Sequence, residues 1–204
     1  MKPSKPITAE TAQYDRQNRR SRIKKDILMT SPNVTLKPVD SSELPAFKQR
    51  MQDAFTQAAH EAFPDFPEIV PPERDIDESL AAQGAEALQV ICDGEPVGGA
   101  IVAGDGEQML LDFIFIDTDK QNGHYGYAAW QAIEARYPHA THWELVTPYH
   151  EKRNIHFYVN RCGFAITEYY NDRHTDPHFT PEEGGDYPGK DGGLFKFEKV
   201  IARD

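Results

Sequence analysis

Cysteine is nearly absent from this 204-residue chain: Cys92 and Cys162 are the only two, too few and too far apart to compose a disulfide framework or a thiolate metal site. Long hydrophobic runs are missing as well. No stretch approaches the roughly 20 apolar residues that cross a bilayer, and Met1 to Thr8 carries charge without the apolar segment a secretory leader needs. The expectation is a cytoplasmic protein with no membrane partner. Positive charge is scarce and unevenly placed. Lys and Arg number 22 against 33 Asp and Glu, and eight of the 22 fall within residues 1–28, beside three acids. The rest of the chain is strongly acidic, which argues against nucleic acid as a partner, because neutralising phosphates needs clustered cations. Such a body biases the approach of cationic ligands over long range.

What is present is enough apolar content, 39%, for one well-filled core. Residues 1–31 read as a basic, flexible N-terminal extension, and 32–204 as the folded domain. Alternation over Val34–Val39 predicts a strand. Ser41 or Ser42 is then expected to cap a helix running to Ala62, because Phe47, Met51, Ala54, Phe55, Ala58 and Ala62 recur at helical spacing. A proline-rich loop and a short helix over Ile76–Gln83 follow. Three apolar runs, Ala87–Cys92, Val97–Ala103 and Met109–Ile116, are separated by Asp93-Gly94 and Asp105-Gly106, each expected to supply the positive backbone angles of tight hairpins. Helices are then predicted over Tyr127–Tyr137 and Lys152–Arg161, with strands over Trp143–Thr147, Phe164–Asn171 and Leu194–Val200. The fold class is α+β.

The segment Asp117 to Gly126 joins a strand to a helix through a polar loop, a junction that aims free backbone amides and the positive end of a helix dipole at one spot. That arrangement suits a pyrophosphate. Small residues just inside the helix, Ala128, Ala129 and Ala132, let it lie close to a sheet, and Gly126 removes a side chain where a phosphate would approach.

Here the chain resembles the acetyl-CoA loop of the GNAT superfamily of N-acetyltransferases, at Gln121-Asn122-Gly123-His124-Tyr125-Gly126. His124 stands where the family usually has glycine, and Thr118 where proline is frequent. Tyr127 to Glu134, Trp143 to Thr147, Arg153 to Tyr158 and Cys162-Gly163-Phe164 are similar to the family's later motifs, in the same order. The resemblance implies a mixed, mostly antiparallel central sheet with helices on both faces, and acetyl-CoA as co-substrate. It implies that Phe115 and Ile116 offer main-chain groups to the pantetheine arm, that Gln121, Asn122, Gly123, His124, Tyr125 and Gly126 hold the pyrophosphate, and that Asn154 either touches the cofactor arm or bonds backbone at a helix start. The acceptor is a small-molecule or amino-terminal amine.

Direct acetyl transfer needs a base for the ammonium and an acid for the departing thiolate. Tyr158 is the family-based acid, yet it precedes Gly163 by five residues where relatives have four, so it either serves the site or packs in the core. Asp112 and Glu144 are the candidate bases, Glu144 being equally explained as a solvent-facing strand residue. The departures at His124 and Tyr158 leave a second reading open, a non-catalytic acyl-CoA-binding or regulatory module. No metal is expected: Asp172, His174, Asp176 and His178 alternate in a loop without further ligands, and His139, His142 and His150 read as surface histidines. The long loop 172–193 marks a substrate lid or an oligomer contact, such as a homodimer's.

Overall fold

The computed structural model describes residues 32–65, 67–121, 123–177 and 193–202. The extension 1–31, Asn122, and most of the loop 172–193, His178 included, lie outside them. In chain order the elements are β1 (Val34–Pro38), α1 (Leu44–Ala62), α2 (Glu73–Ala81), β2 (Glu86–Cys92), β3 (Glu95–Gly104), β4 (Gln108–Ile116), α3 (Tyr125–Arg136), β5 (His142–Pro148), α4 (Lys152–Phe157), β6 (Ala165–Tyr170) and β7 (Leu194–Val200). The strands make one seven-stranded sheet ordered β1-β2-β3-β4-β5-β7-β6, antiparallel throughout except where β4 meets β5. The α+β fold with helices on both faces is the one the sequence predicts. No described helix is long and apolar enough to cross a membrane.

Each face is filled by the periodicity of its helices. Phe47, Met51 and Ala54 of α1 and Ile76 of α2 pack with Ile101 and Phe115 on one side. Trp130 and Ile133 of α3 pack with Ala100, Val102, Leu111, Leu145 and Phe197 on the other. Trp130 meets Trp143 edge to face at 5.2 Å between centroids, an arrangement worth about 0.5–1.5 kcal/mol beyond area burial. That contact fixes α3 against β5 and so determines where the helix's N-terminus points.

Three local predictions are corrected. First, α1 is not capped by Ser41 or Ser42, which lie in the preceding turn. Glu43 stands at the cap, its carboxylate accepting the Asp40 N–H at 3.4 Å. Pro45 fits the first helical turn because amides there have no helical partner. Second, Asp93 and Gly94 do take positive φ, 51° and 83°, but Asp105 does not. Its Oδ1 instead accepts the N–H groups of Glu107 and Gln108 at 2.9 and 2.8 Å, and the positive φ angles fall on Gly104 and Gly106. Third, the helix predicted over Lys152–Arg161 divides: α4 stops at Phe157, and a π turn covers Tyr158–Cys162.

β4 also carries an unforeseen bulge. Ile101 pairs with Phe113 and Val102 with Leu111, which leaves Asp112 as the extra residue. Strand side chains alternate strictly, so one added residue inverts every later one. Met109 and Leu111 therefore face α3, whereas Phe113 and Phe115 face α1 and α2.

Candidate active site

β4 and β5 pair only over Gln108–Leu110 and His142–Glu144. Beyond that point the two strands separate, and β4 keeps one hydrogen-bonding edge free from the bulge to Ile116. A cavity of about 720 Å³ occupies the divergence. One wall is the C-terminal half of α1, with Ala54, Phe55, Ala58, Glu61 and Ala62; the opposite wall comes from the β4–α3 loop, the start of α3, and α4 with its π turn. Ile114, Phe115 and Ile116 of β4 lie along the floor.

The two walls differ in charge. Lys120, Lys152, Arg153 and Arg161 all lie on the loop and α4 side, while the α1 side has small and apolar residues and Glu61. In a chain of net charge −11, this concentration of cations on one wall favours an anionic ligand there. The N-terminus of α3 on that wall has no side-chain cap, so its first amides are open to a ligand. Of the residues singled out from the sequence, Phe115, Ile116, Gln121, Gly123, His124, Tyr125, Gly126, Asn154 and Tyr158 all line this one cavity; Asn122 lies outside the described residues. Arg153 donates to Gln121 Oε1 at 3.2 Å, linking α4 to the loop. Asn154 donates to Glu151 Oε2 at 3.4 Å.

His124 resolves its own departure from the glycine pattern. It takes φ 59° and ψ 12°, the left-handed conformation that a glycine would adopt without strain. A side chain there costs about 1–2 kcal/mol, partly offset by glycine's greater unfolded-state entropy. His124→Gly is expected to raise the melting temperature by about 1–3 °C and to leave ligand affinity at the loop within about twofold. A fall in melting temperature, read by differential scanning fluorimetry, would show that the imidazole itself contributes.

The offset at Tyr158 has a structural answer too. The Gly163 N–H bonds the Tyr158 carbonyl across five residues, closing the π turn, and such a turn takes up one more residue than an α turn does. Tyr158 thereby regains the side of the helix that a spacing of four would give. The residue is both a core ring and part of the cavity wall. The ring is buried against Phe164 and Phe197, and the residue also lines the cavity. Burial, with the nearby Cys162 and Glu151, pushes the hydroxyl well above the usual tyrosine range and keeps it protonated.

Neither candidate base lines the cavity. Asp112 sits in the bulge, its carboxyl pushed up by burial and in part lowered again by the Ser79 hydroxyl of α2. Glu144 is held by Lys196 of β7 at 2.9 Å, away from the cleft, because its strand is already paired there. The acidic and imidazole groups on the wall beside Tyr158 include Glu151, His150 and His156; the sequence left Glu151 unremarked and assigned His150 to the surface. His150 packs edge to face on Phe63 at 5.0 Å; a histidine two residues before a helix start, after a strand predicted to flank the cleft, was the available signal. Among the described residues His142, Glu144 and Glu198 approach one another closely enough to hold a cation, but Lys196 already places its ammonium 2.9 and 3.0 Å from the two carboxylates. His174 is engaged by Glu168 at 2.7 Å.

A model of the acetyltransferase (GNAT) family matches residues 49–164. The uncharacterized protein YrkN of Bacillus subtilis (strain 168) is 39% identical over 179 residues, spanning 84% of this chain and 96% of that protein. The ribosomal-protein-S18-alanine N-acetyltransferase from Escherichia coli has a similar structure, with a TM-score of 0.59 and 16% identity over 84% of this chain and 96% of its own. A GNAT family acetyltransferase from Elizabethkingia anophelis, solved with acetyl-CoA bound, gives 0.57 and 17% over 83% and 99%. At such identities these two structures share the fold.

Proposed function

Since this chain belongs to the GNAT acetyltransferase family, we propose that it is a cytoplasmic N-acetyltransferase that moves the acetyl group of acetyl-CoA directly to a primary amine, on a small molecule or an amino terminus. The observation that carries this reading is the two-walled cavity at the divergence of β4 and β5. Residues 32–204 are the catalytic unit in this reading, with 1–31 an appended extension.

The cofactor takes the cationic wall. Its phosphates meet the amides of residues 124–126 and the Lys and Arg side chains around them, and its amide-bearing arm lies along the unpaired edge of β4 at Phe115 and Ile116, as an added strand would. The acceptor takes the α1 wall, where Glu61 favours a cation. The free amine then attacks the thioester carbonyl carbon, forming the C–N bond, and the C–S bond breaks as the tetrahedral intermediate collapses. Tyr158 gives its proton to the departing thiolate sulfur and regains one from the nitrogen of the collapsing intermediate. The proton lost by the ammonium passes to the His150 and Glu151 pair on the same wall, whose Nε2 and Oε1 lie 3.9 Å apart.

Support for catalysis over a binding-only module comes from the two features that favoured the latter. His124 adopts the glycine conformation, and the π turn absorbs the displaced tyrosine. Thiol release from acetyl-CoA, measured against a panel of monoamines, polyamines and peptides with free amino termini, tests the reading. Release that depends on one class of amine is the expected result. Saturable acetyl-CoA binding with no amine-dependent release across the panel would instead establish the binding module.

A further inference from the structure

Arg50 of α1 reaches over the sheet to Asp117, the first residue after β4. Its Nε donates to Asp117 Oδ1 at 3.1 Å and its Nη2 to Oδ2 at 2.7 Å, a two-pronged pair. The side chains are only 27% and 15% exposed, so water weakens the attraction little. The guanidinium also reaches Gln89 Oε1 at 3.4 Å and the Gly98 carbonyl at 3.5 Å, and stands over the Phe115 ring at 5.9 Å. Every one of these partners belongs to the end of the meander that carries the site.

Asp117 is in turn the root of the loop. Its N–H donates to the Val97 carbonyl at 3.0 Å, and its own carbonyl accepts the Lys120 N–H at 2.9 Å, starting the 3-10 turn Thr118–Lys120. One turn further along α1 from Arg50, Ala54 and Phe55 begin the opposite wall of the cavity. A single ion pair therefore joins the helix that faces the acceptor to the strand end and loop that face the cofactor. Removing one partner of such a pair leaves an uncompensated charge in a partly dry setting, and a lysine cannot reproduce the planar fork.

We propose that Arg50 is a positioning residue: through Asp117 it holds the end of β4 and the loop that follows in the geometry that receives acetyl-CoA. This rests on the acetyl-transfer reading above. Arg50 touches no reacting atom, so its loss acts on cofactor affinity before it acts on the chemical step.

The test uses the full chain as parent, Arg50→Met, Arg50→Lys and Asp117→Asn, with acetyl-CoA affinity by calorimetry, melting temperature, and kcat and KM from thiol release. Arg50→Met and Asp117→Asn are expected to weaken acetyl-CoA binding about tenfold or more, the scale set by misplacing a site from a distance, with kcat at saturation within about threefold. Arg50→Lys should restore most of the melting temperature and only part of the affinity. Should Arg50→Met not fold, the lysine and asparagine variants decide. Variants that melt earlier yet bind acetyl-CoA within about twofold of the parent, measured well below their melting temperatures, would reduce the pair to a structural tie and overturn the inference alone. A parent that binds no acetyl-CoA overturns the acetyl-transfer reading and this inference with it.

Discussion

Gly126→Glu is expected to abolish acetyl-CoA binding, weakening it by about 100-fold or more, because a carboxylate would then occupy the space where the phosphates meet the start of α3. The local geometry makes the comparison with alanine informative. A Cβ built on Gly126 meets Phe157 at 3.6 and 3.7 Å and Ile116 at 4.0 Å, ordinary contact distances. The protein alone thus has room for alanine, and a glycine in the first turn of a helix costs only part of the about 1 kcal/mol that an interior one costs relative to it. Gly126→Ala should therefore melt about 1–2 °C higher than the parent while binding acetyl-CoA more weakly. Opposite signs for stability and affinity would mark this glycine as kept for the ligand. Calorimetry that finds the glutamate variant binding within about threefold of the parent would move the phosphates away from this helix end.

Tyr158→Phe keeps the ring against Phe164 and Phe197 and removes only the proton. Turnover is expected to fall about 10²-fold or more, the usual share of a general acid, with acetyl-CoA affinity within about twofold. Retention of more than half the parent's rate, less than about 0.5 kcal/mol of barrier, would confine the tyrosine to packing. Burial also fixes the expected pH behaviour. The folded hydroxyl titrates above its unfolded value of about 10, so it remains protonated and competent across the physiological range. In stability the sign is set by linkage: the raised folded pKa contributes fully below about pH 10 and is lost as pH rises beyond it, since only the unfolded chain ionises there. Tyr158→Phe should soften that alkaline loss, which chemical denaturation at pH 9 and pH 11 would reveal.

Much of this was legible from residue order. Asp93-Gly94 announced a hairpin because both positions need left-handed angles that few residues tolerate, and both take them. Leu194–Val200 is a strand, as expected from the chain. Gln121, Gly123, His124, Tyr125 and Gly126, with Asn154 and Tyr158, are legible as candidates in the chain and line one cavity. The candidate bases were the weak part. Asp112 and Glu144 were expected only because their strands should flank the cleft, and the bulge and the β5–β7 pairing decide where their carboxyls go.

Sequence by itself determined the order of elements, the two apolar helix faces and the polar loop before α3, because periodicity and turn chemistry are settled within a few residues. Tertiary structure alone decided three things. The bulge at Asp112 turned Phe113 and Phe115 toward α1, the π turn returned Tyr158 to the cleft, and Arg50 met Asp117 across 67 residues. Each depends on what lies opposite in space: which strand sets the register, which ring fills the core, which charge compensates a half-buried carboxylate. Those partners are remote in the chain, and only packing brings them together.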